Sequence, residues 1–299
     1  MTESIFATGL GRVEANSVAL TPIAFLPRSA AIYPDRTAIV HGGRRISYRE
    51  FDARARRLAS ALAARGIGEG DTVSVVLPNV PAMLEAHHGV PMLGAVLNAI
   101  NTRLDAGTIG YILAHGEAKV LITDREFSAT VGAALARLPK KPLVIDLDDP
   151  LYDGAGERLG EIEYEDLLAQ GSADFAPAPI RDEWQAIALS YTSGTTGNPK
   201  GVVVHHRGTW MLTIGQIMAW HLPPRAVYLW TLPMFHANGW CFPWAVAAVA
   251  GTHVCLRRVD PGQIFRLIAE HRVTHMCGAP TVLSMLINAP AEARVRFDH

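Results

Sequence analysis

Apolar and polar positions alternate in short blocks along this chain, switching between the two-residue period of strands and the 3.6-residue period of helices. Residues 37–40 and 45–47 form two short strand-like runs across His41, Gly42 and Gly43, a hairpin signal. Ser47, followed three residues later by Glu50, has the form of a capping box. Phe51, Ala55, Leu58 and Leu62 then keep helical spacing until Gly66 ends it. Farther on, the pattern predicts strands over 73–77, 95–100, 119–123 and 143–147, and helices over 81–93 and 105–115, with another helix before residue 143. Strands alternating with helices of this length argue for an α/β fold with parallel layers.

The stretch 148–179 is rich in Gly, Asp and Pro and carries one short helical patch near 165–169, so it reads as a linker. The expected organisation is a first α/β lobe over 1–179, with the linker at its end, and the start of a second α/β lobe over 180–299. Both belong to one large domain. In the second lobe strands are expected at 186–191, 201–205, 227–232, 253–256 and 273–277. Helices are expected from Arg207, near Trp244, over 261–271 and after Pro280.

Composition narrows the class. Hydrophobic residues are 49% and charged residues 18% of 299, which excludes extensive disorder. The net charge of -1, from 27 basic and 28 acidic residues, gives no bulk attraction to nucleic acid, and no such partner is expected. Arg54, Arg56 and Arg57 lie on a helical pattern and read as a solvated face. Cys241, Cys255 and Cys277 are too scattered for a disulfide framework or a zinc site and read as buried small hydrophobes of a reducing compartment. Residues 1–20 lack a basic leader with an apolar core. The uncharged stretches 209–224 and 237–252 fall short of a bilayer span and read as buried helices. No transmembrane segment and a cytoplasmic location are expected. The adjacent pairs His87–His88 and His205–His206 do not share a helical face, which argues against a metal site. No Gly-x-Ser-x-Gly elbow marks a hydrolase.

The strongest chemical signal is Tyr191-Thr-Ser-Gly-Thr-Thr-Gly-Asn-Pro-Lys-Gly201, with three glycines, four hydroxyl side chains and one lysine in eleven residues. Glycines let backbone N–H groups turn toward an anion, hydroxyls add neutral donors, and Lys200 supplies a compact positive charge. This is a polyphosphate cradle. It is not a Walker loop, because the Gly-Lys-Ser/Thr ending is absent and a strand, rather than a helix, is expected after Gly201.

The same residues resemble the phosphate-binding signature of the adenylate-forming superfamily, which includes acyl-CoA synthetases, aryl-CoA ligases, luciferases and peptide-synthetase adenylation domains. A second match, Leu232-Pro-Met-Phe-His-Ala-Asn-Gly-Trp-Cys241, and a weaker one at 277–282 follow in family order. The resemblance implies the layered αβαβα large domain of these enzymes, truncated before the small C-terminal domain. It implies that Thr192, Ser193, Gly194, Thr195, Thr196, Gly197 and Lys200 hold the ATP phosphates, with Thr192 also on Mg²⁺. His236, Ala237 and Trp240 would border the acyl-adenylate, Trp240 as an aromatic gate. The implied activity is acid–CoA ligase chemistry: ATP and a carboxylic acid give an acyl-AMP, which passes to coenzyme A. The fatty acyl-CoA synthetase branch, acting on fatty or other apolar acids in lipid metabolism, matches the Phe235–Trp240 stretch best. Aryl-CoA ligase, adenylation domain and a non-catalytic nucleotide- or acyl-binding module are the alternatives, and a homodimer is compatible with any of them. Later family segments carrying the magnesium-binding Glu, the ribose-binding Asp and the catalytic Lys do not occur in these residues. No catalytic residue is assigned with certainty, and the isolated chain is expected to be inactive.

Overall fold

Local rules set most of the elements. The computed structural model describes residues 4–192 and 198–299. Helix α1 (Phe25–Ile32) precedes a hairpin of β1 (Thr37–His41) and β2 (Arg44–Ser47), with Gly42 at φ +55 in its turn. The Ser47 hydroxyl accepts from the Glu50 N–H at 3.2 Å and caps α2 (Tyr48–Ala63). Gly66, at φ +77, closes that helix in the left-handed conformation that favours glycine.

The chain then alternates: β3 (Thr72–Val76), α3 (Pro81–Met92), β4 (Val96–Ala99), α4 (Ala106–His115), β5 (Ala118–Asp124), α5 (Ser128–Leu135) and β6 (Leu143–Leu147). After β7 (Ile162–Glu163) and α6 (Tyr164–Ala169) come β8 (Ala186–Thr192), β9 (Lys200–His205) and α7 (His206–Ala219). The last elements are β10 (Val227–Leu229), α8 (Phe242–Ala248), β11 (Thr252–Val254), α9 (Pro261–His271), β12 (His275–Met276) and α10 (Pro280–Ile287).

Seven strands form one sheet in the order β7-β6-β5-β3-β4-β8-β9, and five form another in the order β12-β10-β11-β1-β2. Both are parallel except at one edge, where β9 and β2 run antiparallel. The period-two alternation distributes side chains between layers. Val73, Val75, Val120 and Ile122 join the core between the sheets with α2, α3 and α8, while Val76 and Leu121 join α4 and α5 on the outer face. A third cluster (Val40, Leu229, Val254, Ile264, Val282) packs α9 and α10 on the far side of the five-stranded sheet. The order helix, sheet, helix, sheet, helix is the expected αβαβα layering.

Four details differ from the sequence reading. The sheets do not divide near residue 180: β1 and β2 belong with β10 to β12, while β8 and β9 complete the seven-stranded sheet. Strand pairing is set by side-chain fit across the layer, not by order along the chain. The stretch 148–179 is no simple linker, since β7 pairs with β6 and Tyr164 and Leu167 are fully buried. Arg54 is not solvated. It is 7% exposed, and its guanidinium reaches Glu85 at 2.6 Å and Glu165 at 2.7 Å, with the Tyr164 hydroxyl donating to Glu85. Helix α7 buries only His206, Thr209 and Thr213, leaving Met211, Leu212 and Met218 exposed. The burial expected for 237–252 holds for α8, and all three cysteines are buried.

The layer between the sheets also carries charge. Arg257, just after β11, reaches Asp124 at 2.8 Å, Glu126 at 2.8 Å and Asp149 at 2.5 Å, and His41 of β1 meets Asp149 at 2.9 Å. Burial alone would raise the Asp149 carboxyl, but its bonds to His41 and Arg257 hold it down at about 2. Nearby, His87, His88 and His253 are fully buried among Phe51, Trp230 and Trp244. The Trp230 indole N–H donates to His253 Nδ1 at 3.1 Å, so that nitrogen carries a lone pair. Burial pushes His87 down to about 4 and His88 to about 3, and holds His253 well below the usual histidine value. All three are neutral at ordinary pH.

Candidate functional site

Strand β8 runs to the edge of the seven-stranded sheet and turns back as β9, in the register Ser190↔Val202, Tyr191↔Gly201 and Thr192↔Lys200. The register sets Thr192 and Lys200 opposite one another at the end of the hairpin where β8 passes into the connecting segment, both exposed. Ser193, Gly194, Thr195, Thr196 and Gly197, which the sequence assigns to the phosphates, lie outside the described residues. A Cβ on Gly201 would stand 3.1 Å from Leu189 and 3.3 Å from Tyr191, so the small residue lets the hairpin close against those side chains. The Tyr191 hydroxyl pairs with His115 Nδ1 at 2.8 Å, and its pKa is raised by burial and by Tyr111.

The second candidate segment leaves β10 and crosses toward β8. Asn79, at the turn between β3 and α3, fixes its path. Its amide nitrogen donates to the carbonyls of Trp230 (2.8 Å) and Leu232 (3.0 Å), and its oxygen accepts from the Met234 N–H at 2.8 Å. All three bonds run from the seven-stranded sheet to main chain of the other half of the molecule. Beyond Phe235 the backbone does something rare. Ala237 (φ 39), Asn238 (φ 46), Gly239 (φ 54), Trp240 (φ 53) and Cys241 (φ 61) are all left-handed, a run that L-residues adopt only where the surroundings hold it. Ser190 Oγ donates to Asn238 Oδ1 at 2.6 Å, and Gln216 Nε2 of α7 donates to the Trp240 carbonyl at 3.2 Å. Burial pushes the Cys241 thiol up to about 12, opposed by a bond to Thr213, so it stays a thiol.

His236 and Ala237 are exposed and, with Ser190, Tyr191, Phe235 and Asn98, line a cleft of about 60 Å³. The end of β8 and the 235–237 segment therefore meet. Trp240, 41% exposed, is not in that lining and stands on the α7 side of the turn. Sequence reasoning missed Asn79, Ser190, Gln216 and Asn238. Asn79 follows a proline in a turn-like stretch, and Asn238 sits inside the second motif, but nothing local shows the partner that either one finds across the fold. Among the described residues there is no group of three or more His, Cys, Asp or Glu that could hold a metal. A metal here would depend on the Thr192 hydroxyl and on the phosphates of a bound nucleotide, a donor set that suits Mg²⁺. No helix among the described residues is long and apolar enough to cross a membrane.

The profile of the family described as AMP-binding enzyme matches residues 26–298. The peroxisomal acetate/butyrate–CoA ligase AAE7 of Arabidopsis thaliana is 48% identical over 296 residues, which cover 95% of this chain and 52% of that protein. The acetate–CoA ligase CCL3 of Humulus lupulus is 44% identical over 292 residues, covering 94% of this chain and 51% of its own length. Among solved structures, the inhibitor-bound N-terminal domain of FACL13 from Mycobacterium tuberculosis superposes with a TM-score of 0.80 at 27% identity, over 92% of this chain and 67% of that one. This chain spans about half the length of the curated relatives it matches.

Proposed function

The chain belongs to the AMP-binding enzyme family, and from that premise we propose that the protein carrying it is an AMP-forming acid–CoA ligase acting on a short apolar carboxylate. The observation that supports this most directly is the meeting of the β8–β9 hairpin with the 235–237 segment at one cleft. Adenylation brings two anions together, the carboxylate and the α-phosphate, so the site has to neutralise charge and align the reactants. Lys200 and the Thr192 hydroxyl, facing each other across the hairpin, are the groups suited to the phosphate side, with 193–197 completing the cradle. His236 and Ala237 are suited to the acid side. Mg²⁺, held by Thr192 and the nucleotide phosphates, would neutralise charge on the phosphate chain. Coenzyme A is the acceptor of the activated acyl group in this reading.

The acid is proposed to be short because the cleft beside His236 is small, about 60 Å³, and because the relatives named above act on acetate and butyrate. Fatty acids are the longer-chain alternative. The peroxisomal location of the Arabidopsis relative competes with a cytoplasmic one, and a fluorescent fusion distinguishes them.

The test is pyrophosphate exchange by the complete reading frame containing these residues, screened over acids from acetate to long-chain and aromatic carboxylates. Exchange is expected with short apolar acids. Lys200→Ala should slow it about 100-fold, the typical loss for one preorganised contact to a transition state. Exchange that is unchanged in the variant would sink the phosphate-side assignment.

A further inference from the structure

The strand leading into the phosphate-binding loop and the segment proposed to border the carboxylate are joined side chain to side chain by the Ser190–Asn238 hydrogen bond, 2.6 Å long across 48 residues of chain. Ser190 lies two residues before Thr192, and Asn238 two residues after His236. Asn238 is 4% exposed and is the second residue of the left-handed run at 237–241. Its amide nitrogen, also buried, has no partner among the described residues, so the bond to Ser190 is the contact that fixes its side chain. The rest of the run is held by the Gln216 bond to the Trp240 carbonyl, the Trp240 N–H on the Ala237 carbonyl at 3.1 Å, the Phe242 N–H on the Gly239 carbonyl and the bond between Cys241 and Thr213, none of which reaches β8. A backbone in this conformation relaxes once its restraints go. Relaxation here would move Ala237 and His236 relative to β8.

We infer that Ser190 and Asn238 are a positioning pair, which sets the distance between the acid-side residues His236 and Ala237 and the phosphate-side residues Thr192 and Lys200. The inference rests on the proposed ligase reading. Neither residue need touch the reacting atoms. Each half-site can bind its own ligand without the link, but attack of a carboxylate oxygen on the α-phosphate requires both halves in register, and a misplacement of about 1 Å can cost about 100-fold in rate. Loss of the link therefore falls on turnover more than on binding.

The experiment uses the complete reading frame and measures pyrophosphate exchange with the best acid. Ser190→Ala is expected to lower kcat roughly 10- to 100-fold, with KM for ATP within about twofold of wild type. Ser190→Thr, which keeps the hydroxyl, should recover most of the rate. Asn238→Asp, which keeps an acceptor oxygen, should be faster than Asn238→Ala. The double variant Ser190→Ala/Asn238→Ala should be no slower than the worse single one, because the second change removes nothing further. Additive losses, an unchanged kcat in Ser190→Ala, or a loss of rate matched by a loss of folded protein in thermal melts would overturn the pair while leaving the ligase reading standing. A wild-type protein inactive with every acid would overturn that reading, and the pair's role with it.

Discussion

Two regions of this molecule hold polar groups in opposite ways. Between the sheets, Arg257 gathers Asp124, Glu126 and Asp149, Arg54 gathers Glu85 and Glu165, and the carboxylates find charged partners in buried or half-buried surroundings. At the candidate site the segment 237–241 is left-handed throughout and held by a few single hydrogen bonds, with Trp240 and His236 turned outward. The Arg257 cluster ties the end of β11 to the end of β5, one strand from each sheet, and the Arg54 cluster ties α2 to α3 and α6. The second region places a strained backbone on top of this framework, where the chain can present main-chain and side-chain groups in directions that a helix or strand does not offer. Rigidity below is what lets an unfavourable conformation persist above.

The contrast breaks most sharply at Arg257. Arg257→Ala leaves Asp124, which is fully buried, and Asp149 without their guanidinium, and the expected loss is about 3–5 kcal/mol of folding stability by chemical denaturation. A loss below about 1 kcal/mol would mean that the cluster does not pin the sheets.

Acid should act on the same layer next. His87, His88 and His253 have folded pKa values well below the unfolded 6.5, at about 4 and about 3 for the first two. Between about pH 6.5 and 4 the unfolded chain takes up protons that the folded chain refuses, so stability is full above 6.5 and falls as pH drops through this window. The slope is about 1.4 kcal/mol per pH unit for each histidine. Asp149, held at about 2, keeps its contribution until the pH falls below the ordinary carboxylate value near 3.8, and loses it as the pH falls through about 2. Among the described residues neither ring nitrogen of His88 has a hydrogen-bond partner, so His88→Leu should flatten the slope by about one histidine's share. Urea melts from pH 4.5 to 7.5 that keep the wild-type slope would rule this out.

The smallest effect on stability belongs to Trp240. With its ring 41% exposed, Trp240→Ala should change stability by no more than about 0.5 kcal/mol. If the ring gates the acid side, the ranking of acids in the exchange assay shifts while KM for ATP holds. A large drop in melting temperature with an unchanged ranking would make it a packing residue.

Much of this was readable from local pattern. The 37–47 hairpin, the Ser47 cap, the stop at Gly66 and the alternating elements through β6 follow from rules acting over fewer than about five residues, and the structure keeps them. The Tyr191–Gly201 motif stood out because its residue types are unusual together, and its phosphate role is the proposal made above. What was not legible depends on partners far along the chain. Arg54 looked solvated because it sits beside Arg56 and Arg57 on its helix, whereas Glu85 and Glu165 lie 31 and 111 residues away. The stretch 148–179 looked like a linker because Gly, Asp and Pro mark turns, yet Ile162 pairs with Ile145 and Tyr164 enters the core. Helix α7 looked buried because apolar composition does not say which face finds a neighbour. The left-handed run gave no sign beyond one Asn and one Gly, since its cause is the surrounding scaffold.

The interleaving of the sheets has a consequence in time. Ile39 of β1 pairs with His253 of β11, and Val40 with Val254, so β1 has only its hairpin neighbour until more than two hundred further residues have been made. On a ribosome the seven-stranded sheet can assemble first, because its strands end at residue 205. The five-stranded sheet must wait for its last three strands, with the first hairpin parked against α2 meanwhile. Long closures of this kind slow folding and leave an unpaired strand edge open to other chains while it lasts. Synthesis rate and chaperone supply should therefore govern the yield of this protein more than its final stability does.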